Sequence, residues 1–214
     1  MKVAFWSSKC YLVSMSSAQV YLPWFWFYKC PPMIIPSEYK TDWWGYYLPS
    51  APGEEFPDLE IPSGNFTICD DFDFDNPKTD YDRACAPFYK TTLLKVKEKG
   101  WALIIDTPHV IAYWDAKQTL IVKNWVFDEL QVKAHNSAIL DALENNWDTL
   151  QWQNQEVLEV PGGELCLMNS CEHGADPAIP KENLLYFQLE PGKYQLQHAS
   201  FAPLDLELFY FERI

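Results

Sequence analysis

LLKVKEKGWALIID (residues 93–106) and HVIAYWDAKQTLIVKNWV (residues 109–126) are short β-branched and aromatic runs separated by polar turns. Thr92–Val96 leads to a turn at Lys97–Gly100, and Trp101–Ile105 to a turn at Asp106–Pro108. Val110–Trp114 then meets a turn at Asp115–Gln118 before Thr119–Trp125. Runs of this length and composition, bounded by turn formers, read as strands, and four in succession read as a meander. The same pattern extends outward. Toward the C-terminus it predicts strands at Glu156–Val160, Glu164–Met168, Leu184–Leu189, Tyr194–His198 and Leu206–Phe211, with turns at Pro161–Gly163 and Glu190–Gly192. Toward the N-terminus it predicts Lys9–Val13, Gln19–Tyr28 broken at Pro23, Met33–Ile35, and a short strand at Asn65–Cys69. The helical exception is Ser137–Trp147, where Ile139, Leu140, Leu143 and Trp147 recur at spacings of three and four, behind a cap at Asn136 or Ser137.

These elements predict a mainly β fold, all-β or α+β. Short antiparallel strands form a sandwich-like or two-lobed arrangement with one clear helix near 137–147, and no regular strand-helix alternation argues for a parallel sheet. The expected division is an N-terminal β-rich lobe over 1–133 and a helix plus C-terminal β lobe over 134–214, with one continuous domain as the alternative. The 16 prolines and 8 glycines punctuate apolar runs.

With 48% hydrophobic residues the chain has enough apolar surface to fold, and 30 Asp plus Glu against 16 Lys plus Arg give it a net charge of -14. A net anion without a basic cluster argues against nucleic-acid binding. The acidity is local: residues 1–49 carry four Lys against two acids, whereas residues 50–90 carry ten acids against three bases, half of the net charge. The apolar start is broken at Ser7, Ser8 and Lys9 and again near Ser14, so it reads neither as an export signal nor as a membrane span. A cytoplasmic protein is expected, with no membrane partner and with its six cysteines mostly reduced.

Asp70, Asp71, Asp73, Asp75, Asp80 and Asp82 alternate around Phe72 and Phe74 and form a partner-facing surface, a solvated loop or a cation site. The calcium loop is excluded, since its central Gly and later Glu are missing. Asp71, Asp73 and Asp106 are nominal carboxylates for glycoside hydrolysis. Cys171 and His173 are the nearest approach to a nucleophilic pair, and Cys166, Cys171, His173 and His198 to a zinc set, although their spacing matches no familiar module. No nucleotide-binding, metalloprotease or serine-hydrolase motif occurs. Neither a cofactor nor a metal is expected. The runs WFWFY (24–28) and WWGYY (43–47) are interface anchors or core.

TDYDRACAP (79–87) resembles the signature of the immunity protein 21 family, small bacterial proteins of polymorphic toxin systems. The resemblance continues in Met33–Pro36 followed by Trp44 and Gly45, in WALIIDTPHVIAYW (101–114), in Gly163–Ser170, and in LEPGKYQLQ (189–197). Pro31 and Pro32 stand where the family has a glycine pair, and TLIVKNW (119–125) where it has Gly-Gly and an Arg-Trp strand. The resemblance implies a bacterial protein, not an enzyme, that binds and neutralises a cognate toxin, with the acidity pointing to a basic partner. On that model Asp70, Asp71, Asp73 and Asp75 steer or pair, and Trp24, Trp26, Trp43 and Trp44 anchor. Asp80, Tyr81, Asp82, Arg83 and Cys85 form a structural core, in which carboxylates hold the guanidinium and Cys85 is a small buried hydrophobe, with direct contact of the acids, Tyr81 and Arg83 to the toxin as the alternative. The alternatives are a small hydrolase with a carboxylate or Cys/His site, and a carbohydrate-binding or structural β module.

Overall fold

The computed structural model describes residues 22–27, 30–86, 91–98, 100–105, 110–123 and 136–214. The expected strand Lys9–Val13, the turn Asp106–Pro108 with its candidate Asp106, and Trp125 lie outside the described residues.

The fold is mainly β, with fourteen strands in three antiparallel sheets and one long helix among the described residues. In chain order the strands are β1 (Trp24–Trp26), β2 (Pro32–Pro36), β3 (Tyr47–Pro49), β4 (Leu59–Ile61), β5 (Gly64–Ile68), β6 (Thr91–Val96) and β7 (Gly100–Ile105). There follow β8 (Val110–Trp114), β9 (Thr119–Lys123), β10 (Gln153–Val160), β11 (Glu164–Asn169), β12 (Leu185–Gln188), β13 (Gly192–Phe201) and β14 (Leu206–Arg213). The helices are α1 (Asp80–Cys85) and α2 (Asn136–Asn146). A six-stranded sheet runs β1-β8-β9-β14-β13-β10, a five-stranded sheet β12-β11-β2-β7-β6, and a small sheet β3-β5-β4.

Strands 93–125 do not form one meander. β6 and β7 are a hairpin in the five-stranded sheet, and β8 and β9 a hairpin in the six-stranded sheet. The reason is in the side chains: Trp101, Leu103 and Ile105 of β7 and Ile111 and Tyr113 of β8 share one buried cluster, so the two hairpins stack face to face. The alternate residues face outward into further apolar layers. Val110, Ala112 and Trp114 meet Ile139, Leu140 and Leu143 of α2, while Ala102 and Ile104 meet Met33, Ile35 and Trp43. A strand covered on both faces needs no polar alternation, which is why VIAYW and WALII are continuously apolar. The hairpin turns close through Lys97 and Gln118, both at φ 46°.

Strands from both sides of the expected boundary between 133 and 134 pair with each other. β14 pairs with β9 and β11 with β2, so both large sheets draw strands from either side of it. No helix among the described residues is long and apolar enough to cross a membrane.

Candidate functional site

The site is assembled where the five-stranded sheet meets the small sheet. β2 and β11 are antiparallel neighbours, with Pro32 opposite Asn169 and the Ser170 N–H donating to the Pro31 carbonyl at 3.1 Å. One residue further along each strand, Cys30 and Cys171 stand opposite, their Cα atoms 6.0 Å apart, and are joined in a disulfide. This departs from the expectation of reduced cysteines for these two, while Cys69, Cys85 and Cys166, among the described residues, form no disulfide. A cross-link 141 residues apart in sequence leaves no local signal. While closed, the bridge also removes Cys171 as the nucleophile of a Cys171/His173 pair. Burial pushes the Cys166 thiol up to about 11, leaving it a poor nucleophile.

The segment Trp43–Tyr47 is stitched to the loop after β11. Gly174 donates to the Trp43 carbonyl at 2.8 Å and Tyr46 to that of Cys171 at 3.2 Å, while Tyr81 donates to the Gly45 carbonyl at 2.9 Å. Gly45 sits at φ 62°, and a Cβ there would lie 2.2 Å from the Cys171 carbonyl oxygen, so only glycine permits the approach. Trp43 is fully buried and its indole N–H donates to the Ser170 carbonyl at 2.8 Å. As an anchor for a partner it is therefore corrected: it belongs to the core. Trp44 is half-buried, with its ring 5.2 Å from Phe66 and stacked on His173.

His173 is fully buried among aromatic rings, with Phe66 edge-on at 4.5 Å and Tyr47 at 6.1 Å. Its Nδ1 accepts the Ala175 N–H at 3.1 Å, which places the proton of the neutral ring on Nε2. Burial holds its pKa below the ordinary 6.5, against the opposing pull of Asp176. The unfolded chain therefore binds the proton first, and the stabilisation from neutral His173 is complete above pH 6.5 and lost as pH falls below it. Thermal unfolding should show wild type losing up to about 1.4 kcal/mol per pH unit more than His173→Leu below that point. Parallel pH profiles of the two proteins would contradict this.

TDYDRAC folds as α1 behind a reciprocal cap. The Thr79 hydroxyl accepts the Asp82 N–H at 3.0 Å, and one Asp82 carboxylate oxygen accepts the N–H groups of Thr79 and Lys78, each at 3.0 Å. Asp82 is fully buried and does not touch the guanidinium; Arg83 is held by Asp80 at 2.8 Å and by the Lys95 carbonyl. Asp80 also accepts the Trp44 N–H at 2.9 Å. Burial raises its pKa, and these two contacts oppose the rise. Cys85 is half-buried.

The acidic segment is folded back on itself. Asp73 accepts the N–H groups of Asp75 and Asn76, which hold its carboxyl below the ordinary range, and Asp71 pairs with Lys78. Asp70, Asp71 and Asp75 are exposed, as are Phe72 and Phe74 between them, at 47% and 50%. The Phe72 ring meets Tyr81 edge-on at 5.4 Å.

Together these features border an open cavity of about 690 Å³ walled by Trp24, Trp26, Tyr46, Phe72 and Tyr81. The disulfide, Asn169, Asn183, Glu172 and Glu182 complete its lining. Trp24 is nearly buried and fixed by its indole N–H to Asn136 at 2.5 Å, whereas Trp26 is half-buried. Burial and the neighbouring Asp176 push Glu172 above the ordinary carboxylate range. The cavity thus draws on WFWFY, WWGYY, the acidic segment and TDYDRACAP alike. Sequence reasoning missed Glu172, Glu182, Asn169 and Asn183, which lie in a loop, in the 3-10 turn Lys181–Asn183 or at a strand end, with no motif around them. Among the described residues no three His, Cys, Asp or Glu side chains are grouped to hold a metal ion.

The family model described as Immunity protein 21 matches residues 57–206. The chain belongs to the immunity protein 21 family. No curated protein and no solved structure matches it. The part of this immunity protein matched by the family model includes Phe72, Tyr81, Glu172 and Glu182 of the cavity; Trp24, Trp26, Cys30 and Tyr46 precede it.

Proposed function

We propose that this protein binds a cognate bacterial toxin and neutralises it by occupying its surface, with no substrate turned over. Family membership across residues 57–206 carries the reading. The exposed carboxylates of Asp70, Asp71 and Asp75, beside the aromatic cavity, supply the physical means. Like charges gathered on one surface steer a partner of opposite sign and favour a basic toxin, while aromatic walls supply contact area at little cost in rotamer freedom. Trp24, Trp26 and Trp44 are the aromatic contact candidates, and Asp80, Tyr81, Asp82 and Arg83 hold the wall in place. Mixed with the toxin encoded beside it, the protein should give a 1:1 complex on size exclusion that weakens as salt rises. Absence of a complex at low salt would refute the reading.

The cytoplasm is the compartment we favour. There the reducing pool keeps Cys30 and Cys171 as a facing thiol pair that closes on oxidation. Rapid alkylation of cells followed by peptide mass analysis should find both thiols labelled. A bridge already closed in the quenched sample would instead point to an oxidising compartment.

A further inference from the structure

Among the described residues, neither Glu172 nor Glu182 has a cation to answer it. No Lys or Arg is among the described residues that line the cavity, while Lys78 pairs with Asp71, and Arg83 is held by Asp80 and the Lys95 carbonyl. Among the described residues the cavity therefore presents aromatic faces and two carboxylates, and no cation.

An apolar occupant would cover Glu172 without satisfying it, and an anion would meet the carboxylates head on. A cation answers both Glu172 and Glu182. Aromatic faces attract cations through their ring quadrupole, and a guanidinium, planar and weakly hydrated, stacks on rings while its remaining N–H groups reach carboxylates and carbonyl oxygens. The volume of about 690 Å³ lies within the range of small-ligand pockets and exceeds what one side chain fills.

We propose that this cavity is the docking site for an arginine-bearing segment of the protein partner, with the guanidinium against the Trp26, Phe72 and Tyr81 rings and its N–H groups donated to Glu172 and Glu182. The proposal rests on the toxin-binding reading in taking that segment from the toxin. Acid and ring act together: the carboxylates select charge, and the rings select a flat cation over a hydrated ammonium.

The test titrates the full chain with acetyl-Gly-Arg-Gly-Arg-Gly-amide and with the same peptide carrying citrulline for arginine, following the indole N–H signals of Trp24 and Trp26 by NMR. The arginine peptide should shift both signals saturably. The citrulline peptide, and the arginine peptide on the isosteric double variant Glu172→Gln with Glu182→Gln, should bind at least fivefold more weakly. No saturable shift, or equal binding of the two peptides, overturns the proposal. Titration with the toxin itself separates the two readings. If wild type binds it and the double variant binds it equally well, the cavity assignment falls and the immunity reading stands; a loss of tenfold or more in affinity supports both. If wild type fails to bind the toxin while the peptide result holds, the immunity reading falls and the recognition of arginine by the cavity stands.

Discussion

Trp43→Ala should lower unfolding free energy by about 3–5 kcal/mol, the range for emptying a fully buried aromatic site. Trp43 has no exposed surface and packs with Met33, Ile35, Ala84, Ile104, Met168 and Ile179, where the outer face of the five-stranded sheet meets α1 and the loop after β11. Removing the indole also orphans the Ser170 carbonyl, a cost of about 1–3 kcal/mol for a buried acceptor. Trp43→Phe separates the two contributions, since it keeps most of the volume and loses only the donor. It should fall between wild type and the alanine variant in urea denaturation. A loss below about 1 kcal/mol for Trp43→Ala would mean that the segment 43–47 is not anchored as described. Because Gly174 and Tyr46 hang from the same segment, a loosened Trp43 should also displace Tyr46 from the cavity wall.

Asp82→Ala should cost about 3 kcal/mol. The carboxylate is fully buried and accepts two backbone N–H groups, from Lys78 and Thr79, both of which would be left without a partner. It is also half of the reciprocal cap that starts a helix of only six residues, too short to persist on its own hydrogen bonds. The other carboxylate oxygen is buried and unpartnered, so part of the gain is already offset in the wild type. Asp82→Asn retains one acceptor oxygen and should lose less. Urea denaturation reads the stability, and hydrogen exchange at Arg83 and Ala86, whose N–H groups close the helix on Thr79 and Asp82, reads the local fraying. An unchanged exchange rate in Asp82→Ala would contradict the capping role.

The strands of the sandwich were legible because each is a run of β-branched and aromatic residues ended by a turn that the side chains announce. The assignment of those strands to sheets was not: VIAYW and WALII are apolar on both faces, so the sequence does not say which face meets which neighbour. β3 and β4 are three residues each, too short for alternation to register, and they depend on Phe66 and the buried His173 for cover. The helix at 80–85 carried a readable sign, the Thr79 to Asp82 spacing of a capping box, although its length falls below any helical periodicity. In WWGYY the division of labour turns on the positive φ of Gly45, which sends Trp43 into the core and Tyr46 to the cavity. Nothing in residue type distinguishes those rings beforehand. The cavity itself is a long-range product: its walls come from residues 24, 26, 30, 46, 72, 81, 169, 171–172 and 182–183, brought together by pairing of β2 with β11 and of β1 with β8.

The acidity has likewise become specific. Of the acids in residues 50–90, Asp80 and Asp82 build α1 and its links to Trp44 and Arg83, while Asp70, Asp71 and Asp75 face solvent beside the cavity. The most direct measurement is a titration of the toxin's activity by this protein at fixed toxin concentration. Activity should fall linearly and reach its end point at one equivalent, whereas activity unchanged through several equivalents would contradict the account.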